Sequence, residues 1–214
     1  MKPFVIHPVV EGHGEIAAVE ILLGRLLSAL GVWGICRTPS RLPKDQMVAD
    51  EEAFKWMLDL IRDDTEISLA LFLYDADDNC ARDHVPQMRL WAEEANLGIP
   101  CHIVMIRREF EAWFLAALPS LQGKELEHGE RVADIASFAG TPEAKRDAKS
   151  AVGDFILPKK KYRETLHQAQ LTRHLDLQMA YRSAPTFRRL VQAIVEALQA
   201  QGHEPILPDE NWVF

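Results

Sequence analysis

The sequence predicts an α/β fold in which a mainly parallel sheet is flanked by helices and followed by a helical C-terminal extension. Strand-like and helix-like segments alternate through residues 1–107, as they do in proteins built from right-handed βαβ units. Residues 67–74 are apolar without a break, which indicates a strand buried on both faces at the centre of the sheet. From about residue 130 the pattern is one of short helices with no clear strand. We therefore divide the chain into a core of residues 1–118 and a helical extension of residues 119–214.

The first third of the chain predicts two strands around one helix. A strand is expected at about residues 3–10, and the largely apolar run from Ile16 predicts a helix that extends to about Leu30. Gly31 is typical of a residue that ends a helix. A short strand is expected at residues 32–37, followed by a loop that contains Pro39 and Pro43.

The middle of the chain predicts two further helix and strand pairs. Apolar residues at helical spacing predict one amphipathic helix with a buried face made of Met47, Phe54, Met57, Leu58 and Ile61. After the central strand, Asp83 is positioned to cap a helix that runs to about Asn96, and residues 101–106 form the next strand. A helix that starts at Glu109 is expected to end before Pro119, and Pro185 is expected to begin a last long helix.

Composition bounds the classes of protein to which this chain can belong. With 214 residues, of which 48% are hydrophobic and 26% charged, the chain is large enough for one sizeable core. It has no apolar run of 18 residues, and the first strand follows Met1 with no cleavable signal pattern, so we expect a soluble cytoplasmic protein with no membrane partner. Three cysteines without metal-type spacing argue against a zinc site or a disulfide framework.

Charge is distributed unevenly along the chain. Residues 1–107 carry 10 Lys and Arg against 17 Asp and Glu, a net charge of −7, whereas residues 145–189 carry 11 against 4, a net charge of +7. A basic segment can hold phosphate groups beside an acidic metal site even in a protein of net charge −8. The alternative is that these cations lie on ordinary solvated helix faces.

Two acidic clusters follow predicted strands. Glu11 and Glu15 flank a glycine-containing turn after the first strand, and Asp75 and Asp77 follow the central strand. Because ligands bind beyond the carboxyl ends of strands in open parallel sheets, the two clusters are expected to converge on one pocket. Carboxylate oxygens suit Mg²⁺ or Mn²⁺ better than Zn²⁺.

Each acidic cluster also has a purely structural interpretation. Glu15 suits the N-terminus of a helix, and Glu11 would then be an exposed loop residue. The aspartates after the central strand could instead form a cap-and-turn cluster in which Asp78 and Asn79 accept hydrogen bonds from loop amides. Taken from the residues alone, both interpretations stay open.

Together the two clusters resemble the TOPRIM fold of primases, topoisomerases and nucleases of the overcoming-lysogenization-defect type, in which a Glu follows the first strand and an Asp-x-Asp follows the third. Glu11 matches that glutamate, Asp75 and Asp77 match the Asp-x-Asp, and Glu15 resembles the extra acid of the nuclease branch. The wider pattern is similar to a bacterial TOPRIM-related family that is catalogued as a domain of unknown function. The segments that carry this similarity are Val10-Glu11-Gly12, residues 109–115, residues 159–162 and residues 185–188.

The resemblance implies a TOPRIM-like, Rossmann-like sheet and a metal-dependent phosphodiesterase or nuclease that acts on DNA or RNA. Asp75 and Asp77 would bind Mg²⁺ or Mn²⁺, Glu11 would act as a ligand or a general acid–base, and a second metal would need Glu15. The chain lacks the phosphate-binding loop of an ATPase, so an ATPase partner, as in a bacterial defence pair, would be a separate chain. A different class, a non-catalytic module that binds a metal or a partner, stays the alternative.

Further candidates flank these clusters. Glu109 follows the strand of residues 101–106 and is a candidate metal ligand, preferred over Glu111, although it could instead pair with Arg107 or Arg108. Lys159, Lys160, Lys161 and Arg163 follow Pro158 in a predicted loop, and we expect them to bind substrate phosphates, with Lys160 the candidate catalytic cation. Solvated surface residues are the alternative for these four.

Overall fold

The computed structural model describes residues 2–77, 81–134, 138–158 and 161–208, apart from the side chains of residues 81 and 82. Its main sheet is formed by the strands β1 (Phe4–Val10), β2 (Gly34–Cys36), β3 (Ser40–Arg41), β4 (Leu69–Asp75) and β5 (Cys101–Ile106). The helices that alternate with them are α1 (His13–Ala29), α2 (Lys44–Ala49), α3 (Glu51–Asp63) and α4 (Ala81–Ala95). The rest of the chain adds α5 (Glu111–Ala116), α6 (Leu118–Leu121), α7 (Ala148–Gly153), α8 (Glu164–His174), α9 (Leu177–Ser183) and α10 (Pro185–Ala200).

The main sheet is parallel throughout. Its order is β2-β1-β4-β5, and β3 pairs with the carboxyl end of β1. Every residue of β4 is buried, as expected for a central strand with helices on both faces. The prediction of an α/β fold with a mainly parallel sheet flanked by helices is therefore confirmed.

The two faces of the sheet bury separate hydrophobic clusters, because successive side chains of a strand point to opposite faces. Val10 and Leu73 lie in the first cluster, which includes the apolar residues of α1, α5, α7, α8 and α10. Val9 and Phe72 lie in the second cluster, with the apolar residues of α2, α3 and α4. We call these the α1 face and the α3 face of the sheet.

Several helix boundaries differ from the prediction. The single amphipathic helix expected around Met57 is two helices, because Asp50 leaves the helical conformation and accepts a hydrogen bond from the N–H of Ala53 at 3.0 Å, which starts α3. Helix α4 begins at Ala81, so Asp83 lies inside its first turn instead of capping it. Helix α5 ends before Pro119 as predicted but starts at Glu111 instead of Glu109, and Pro119 lies in the first turn of α6.

The C-terminal half is not purely helical. A two-stranded antiparallel sheet joins β6 (Arg131–Val132) to β7 (Ile156–Leu157), which corrects the expectation of no strand in this region. Two-residue strands are too short to produce a periodic pattern in the sequence. The final helix starts at Pro185 as predicted. None of the described helices is long and apolar enough to cross a membrane.

Helix α8 packs closely along α1 at Gly14. A Cβ atom at this position would lie 2.6 Å from Cβ of Glu164 and 2.8 Å from Oε1 of Gln168. The missing side chain thus allows the first turn of α1, which carries Glu15, to approach α8. The extension is held against the part of the core that carries the predicted site.

Replacing Gly14 with Ala is expected to destabilise the protein by about 1–3 kcal/mol, because the added methyl group overpacks the α1–α8 contact. Gly24→Ala, in the same helix, is the matched control: a Cβ there meets nothing within 4 Å, so higher helix propensity should stabilise the protein by about 0.5–1 kcal/mol. Urea unfolding of both variants measures the difference. Equal stabilities would contradict the close approach.

Candidate metal centre

Three of the predicted acidic residues meet at the carboxyl edge of the sheet. Glu11, Glu15 and Asp75 each offer a carboxylate oxygen, and these oxygens all lie within 4.8 Å of one another. We call this group the acidic triad. It joins residues 64 positions apart in the sequence, because β1 and β4 are adjacent parallel strands with Val10 opposite Leu73.

Local hydrogen bonds hold the triad in place. The N–H of Asp75 donates to Oε2 of Glu11 at 3.3 Å, which links the ends of the two strands. Glu15 lies in the first turn of α1, and its Oε2 accepts hydrogen bonds from the N–H groups of Glu11, at 3.1 Å, and Gly12, at 2.8 Å. Glu15 therefore both accepts hydrogen bonds at the N-terminus of α1 and belongs to the acidic triad.

Burial makes the negative charge of the triad unfavourable in the absence of a cation. Asp75 is 2% exposed and Glu15 is 4% exposed. Burial raises the pKa of Glu15 to about 8, although the N–H of Gly12 opposes this shift. Burial, followed by the neighbouring carboxylates, raises the pKa of Asp75 well above its usual range, and burial also raises the pKa of Glu11.

Glu111, which the sequence ranked below Glu109, is a fully buried carboxylate beside the triad. Its Oε1 accepts hydrogen bonds from the hydroxyl of Tyr162, at 2.8 Å, and from Nε2 of Gln168, at 2.9 Å. Burial raises the pKa of Glu111 to about 7, and its charge contributes to the raised pKa values of Glu15 and Asp75. The carboxylate of Glu109 is outside the triad and accepts a hydrogen bond from the N–H of Lys149 at 3.0 Å.

Lys149 supplies a positive charge next to the triad, and the sequence did not single it out. Its Nζ lies 4.0 Å from Oδ2 of Asp75 and 2.8 Å from Oε1 of Glu164. Burial opposes the charged form, but the hydrogen bond to Glu164 and the nearby carboxylates outweigh it and raise the pKa of Lys149. The available signal was the helical spacing of Ala148, Ala151 and Val152 within the basic segment.

Asp77 lies outside the triad. Its carboxylate is 58% exposed, and its Oδ2 accepts a hydrogen bond from Nζ of Lys44 at 2.6 Å. Its backbone has a φ of 50°, in the left-handed region, which turns the chain directly after β4. Its role as a metal ligand stays a prediction.

An open groove of about 990 Å³ lies next to Lys149 on the α1 face. Two of the predicted substrate-binding residues, Lys161 and Arg163, line it together with Lys149. Lys159 and Lys160 lie outside the described residues. Tyr162, between the two groove cations, is buried. Trp113, Phe114 and Leu115 belong to the hydrophobic core.

The residues present at the triad fit a hard divalent cation. Asp75 Oδ1 and Glu111 Oε2 are buried, and neither accepts a hydrogen bond from any residue that the structure describes. Oxygen atoms left in this state are costly unless a proton or a cation compensates them. Carboxylate oxygens are the ligands that Mg²⁺ and Mn²⁺ prefer, and the triad contains no His or Cys that would favour Zn²⁺.

Comparison with known proteins places the chain in a family. A search of curated proteins and a search of solved structures each found no match. One family model matches residues 10–195, a range that includes the triad, Lys44, Glu111 and Lys149. Because this match covers most of the 214 residues, the chain belongs to the family described as Domain of unknown function (DUF4276).

Proposed function

We propose that the protein is a Mg²⁺- or Mn²⁺-dependent phosphodiesterase that hydrolyses nucleic acid. The observation that carries the proposal is the acidic triad, in which two buried carboxylates and one half-buried carboxylate meet at the ends of two central parallel strands beside a lysine. Open parallel sheets bind ligands at this edge. The resemblance of Glu11, Asp75 and Asp77 to the TOPRIM pattern supports the same reaction class.

Glu11, Glu15 and Asp75 are the residues that would hold the cation. When bound, the cation would neutralise charge on a phosphate oxygen and lower the pKa of a water molecule. In the hydrolysis, a bond forms between the water oxygen and phosphorus, one ester bond from phosphorus to oxygen breaks, and the leaving oxygen gains a proton. The products are one chain that ends in a phosphate and one that ends in a hydroxyl group.

The chain's own cations bind and orient the substrate in this proposal. Lys149 is close enough to the triad to contact a non-bridging oxygen of the reacting phosphate. Lys161 and Arg163 line the groove that leads from Lys149 and hold neighbouring phosphates. Lys160, which lies outside the described residues, stays a candidate for the same role.

The TOPRIM resemblance also supports a role as the effector of a bacterial defence pair whose ATPase is a separate chain. A non-catalytic module that uses the triad to bind a metal or a partner protein is the competing function.

The purified protein is expected to cleave at least one of single-stranded DNA, duplex DNA, single-stranded RNA or duplex RNA when Mg²⁺ or Mn²⁺ is added, and to lose that activity in EDTA.

Lys149→Gln should lower kcat by about 10²-fold, because a charge that contacts the reacting phosphate is removed. Arg173→Gln, which removes an exposed cation of α8, is the control and should leave kcat unchanged. Thermal stabilisation by metal with no cleavage of any substrate, including in the presence of the neighbouring gene product, would favour the binding module.

A further inference from the structure

Cations approach the acidic triad from both faces of the sheet. Lys149 belongs to α7, whose Ala148 and Val152 pack in the cluster of the α1 face. Lys44 is the first residue of α2, whose Met47 packs in the cluster of the α3 face. Lys149 Nζ lies 4.0 Å from Oδ2 of Asp75, and Lys44 Nζ lies 2.6 Å from Oδ2 of Asp77, two residues beyond Asp75, so both positive charges lie close to the triad.

Two hydrogen bonds with Arg108 hold the residue that binds Lys44. The N–H of Asp77 donates to the carbonyl of Arg108 at 2.9 Å, and Nη1 of Arg108 donates to the carbonyl of Asp77 at 2.9 Å. Asp77 and Arg108 both have a positive φ, of 50° and 70°, a conformation that non-glycine residues adopt infrequently. Such conformations persist where the surroundings enforce them, and they cluster at functional sites.

The Lys44–Asp77 pair is more than an ordinary surface ion pair. The side chain of Lys44 is only 19% exposed, although that of Asp77 is 58% exposed, so the ammonium group is held at the edge of the sheet and not extended into solvent. Nε of Arg41, in β3, donates to the carbonyl of Glu11 at 3.1 Å, so a second cation contacts the strand end that carries Glu11. Lys44 therefore supplies positive charge beside the triad on the face of the sheet away from the Lys149 groove.

We propose that Lys44 is a substrate-binding residue, positioned by Asp77, and that it contacts a backbone phosphate on the opposite side of the triad from Lys149. This inference rests on the proposed function and specifies its substrate class. With phosphate contacts on both sides of the reacting bond, the nucleic acid crosses the edge of the sheet from the α3 face to the α1 face. The bond that is cleaved is then an internal phosphodiester, and a free chain end is not required.

The first test compares Lys44→Ala with two matched variants by fluorescence anisotropy, using a labelled 30-base-pair DNA duplex in Ca²⁺ over a range of KCl concentrations. Lys44→Ala should weaken binding several-fold and reduce the logarithmic salt slope by about 0.9, the value for one lost phosphate contact. Lys44→Arg should keep the wild-type slope. Lys55→Ala, which removes an α3 lysine paired with Glu51 and Glu94, should also leave binding unchanged.

A second measurement separates positioning by Asp77 from metal binding. Asp77→Asn should raise KM and lower the salt slope, as Lys44→Ala does, while the rise in Tm on adding Mg²⁺ stays at the wild-type value. Loss of that rise in Tm would show that Asp77 is a metal ligand and would overturn its assignment to Lys44. If Asp77→Asn leaves KM and the salt slope unchanged, the assignment of Asp77 to the positioning of Lys44 is also overturned.

The last experiment tests cleavage of a covalently closed circular DNA, which has no free ends. Cleavage of the circle by the wild-type protein supports a chain that crosses the site, whereas degradation of linear substrates alone would overturn the crossing. If the wild-type protein cleaves nucleic acid but Lys44→Ala binds it with unchanged affinity and salt slope, the inference is refuted and the proposed function is unaffected. If wild-type protein cleaves nothing, the proposed function fails, and the anisotropy comparison still decides whether Lys44 contacts nucleic acid.

Discussion

Replacing Asp75 with Asn is expected to stabilise the metal-free protein while abolishing its metal-dependent activity. Asn keeps the size of the side chain but removes a charge that is buried among other carboxylates, so the free energy of unfolding should rise by roughly 1–3 kcal/mol at pH 8. The same change removes a ligand from the triad. Cleavage should fall by at least about 100-fold, and added Mg²⁺ should no longer raise Tm.

A substitution that raises stability and lowers activity identifies a functional carboxylate, whereas replacing a structural carboxylate lowers stability. Thermal unfolding in EDTA and in 10 mM Mg²⁺ measures the first quantity, and initial cleavage rates measure the second. Asp59→Asn, on the exposed side of α3, is the control and should leave both nearly unchanged. A lower Tm for Asp75→Asn in EDTA, with the Mg²⁺ effect retained, would show that Asp75 supports the fold and does not bind the cation.

The metal-free protein is expected to lose stability as the pH rises from about 5 to 8. Burial raises the pKa of Glu15 to about 8 and that of Glu111 to about 7, from 4.5 in the unfolded chain. In this range the folded state holds more protons than the unfolded state, so the free energy of unfolding decreases with increasing pH. The contribution of these groups is fully present below about pH 4.5 and is lost as the pH passes through the folded pKa values.

A divalent cation should reverse this trend, because it replaces the protons that the carboxylates otherwise need. The rise in Tm on adding Mg²⁺ or Mn²⁺ should therefore be small at pH 5 and large at pH 8. At a concentration 100 times Kd the stabilisation is about 2.7 kcal/mol, or about 5–10 °C for a chain of this length. Differential scanning fluorimetry across this pH range measures it, and a metal effect that does not change with pH would argue against binding at the triad.

Periodicity was sufficient to predict the main elements. The apolar run at residues 67–74 placed the buried central strand, and the alternation of strands and helices in the first half predicted a parallel sheet. These signals are local, because the solvent exposure of each residue follows from its position in a helix or strand. The same reasoning missed β6 and β7, which exist through pairing between segments 25 residues apart and not through a pattern of their own.

The sequence predicted the triad better than the residues around it. Glu11 and Asp75 follow predicted strands, and the parallel topology alone brings them together. Glu109 and Glu111 lie two residues apart, and the start of α5 decides which carboxylate turns inward. One signal was available, because Glu111 directly precedes the apolar run of Ala112 to Ala116. An apolar run of this kind predicts a helix that is buried on all sides, so the acidic residue at its start is also buried.

By itself, then, the sequence determined that the chain forms a parallel α/β sheet with acidic residues at the ends of two strands, because these features depend on the order and polarity of neighbouring residues. Tertiary structure alone decided that Lys149 faces Asp75 from one side of the sheet and that Lys44 binds Asp77 on the other. Those pairs join segments 74 and 33 residues apart, and they depend on how α7 and α2 pack on opposite faces. Long cationic side chains reach several ångströms in many directions, so only packed helices fix which carboxylate each one meets.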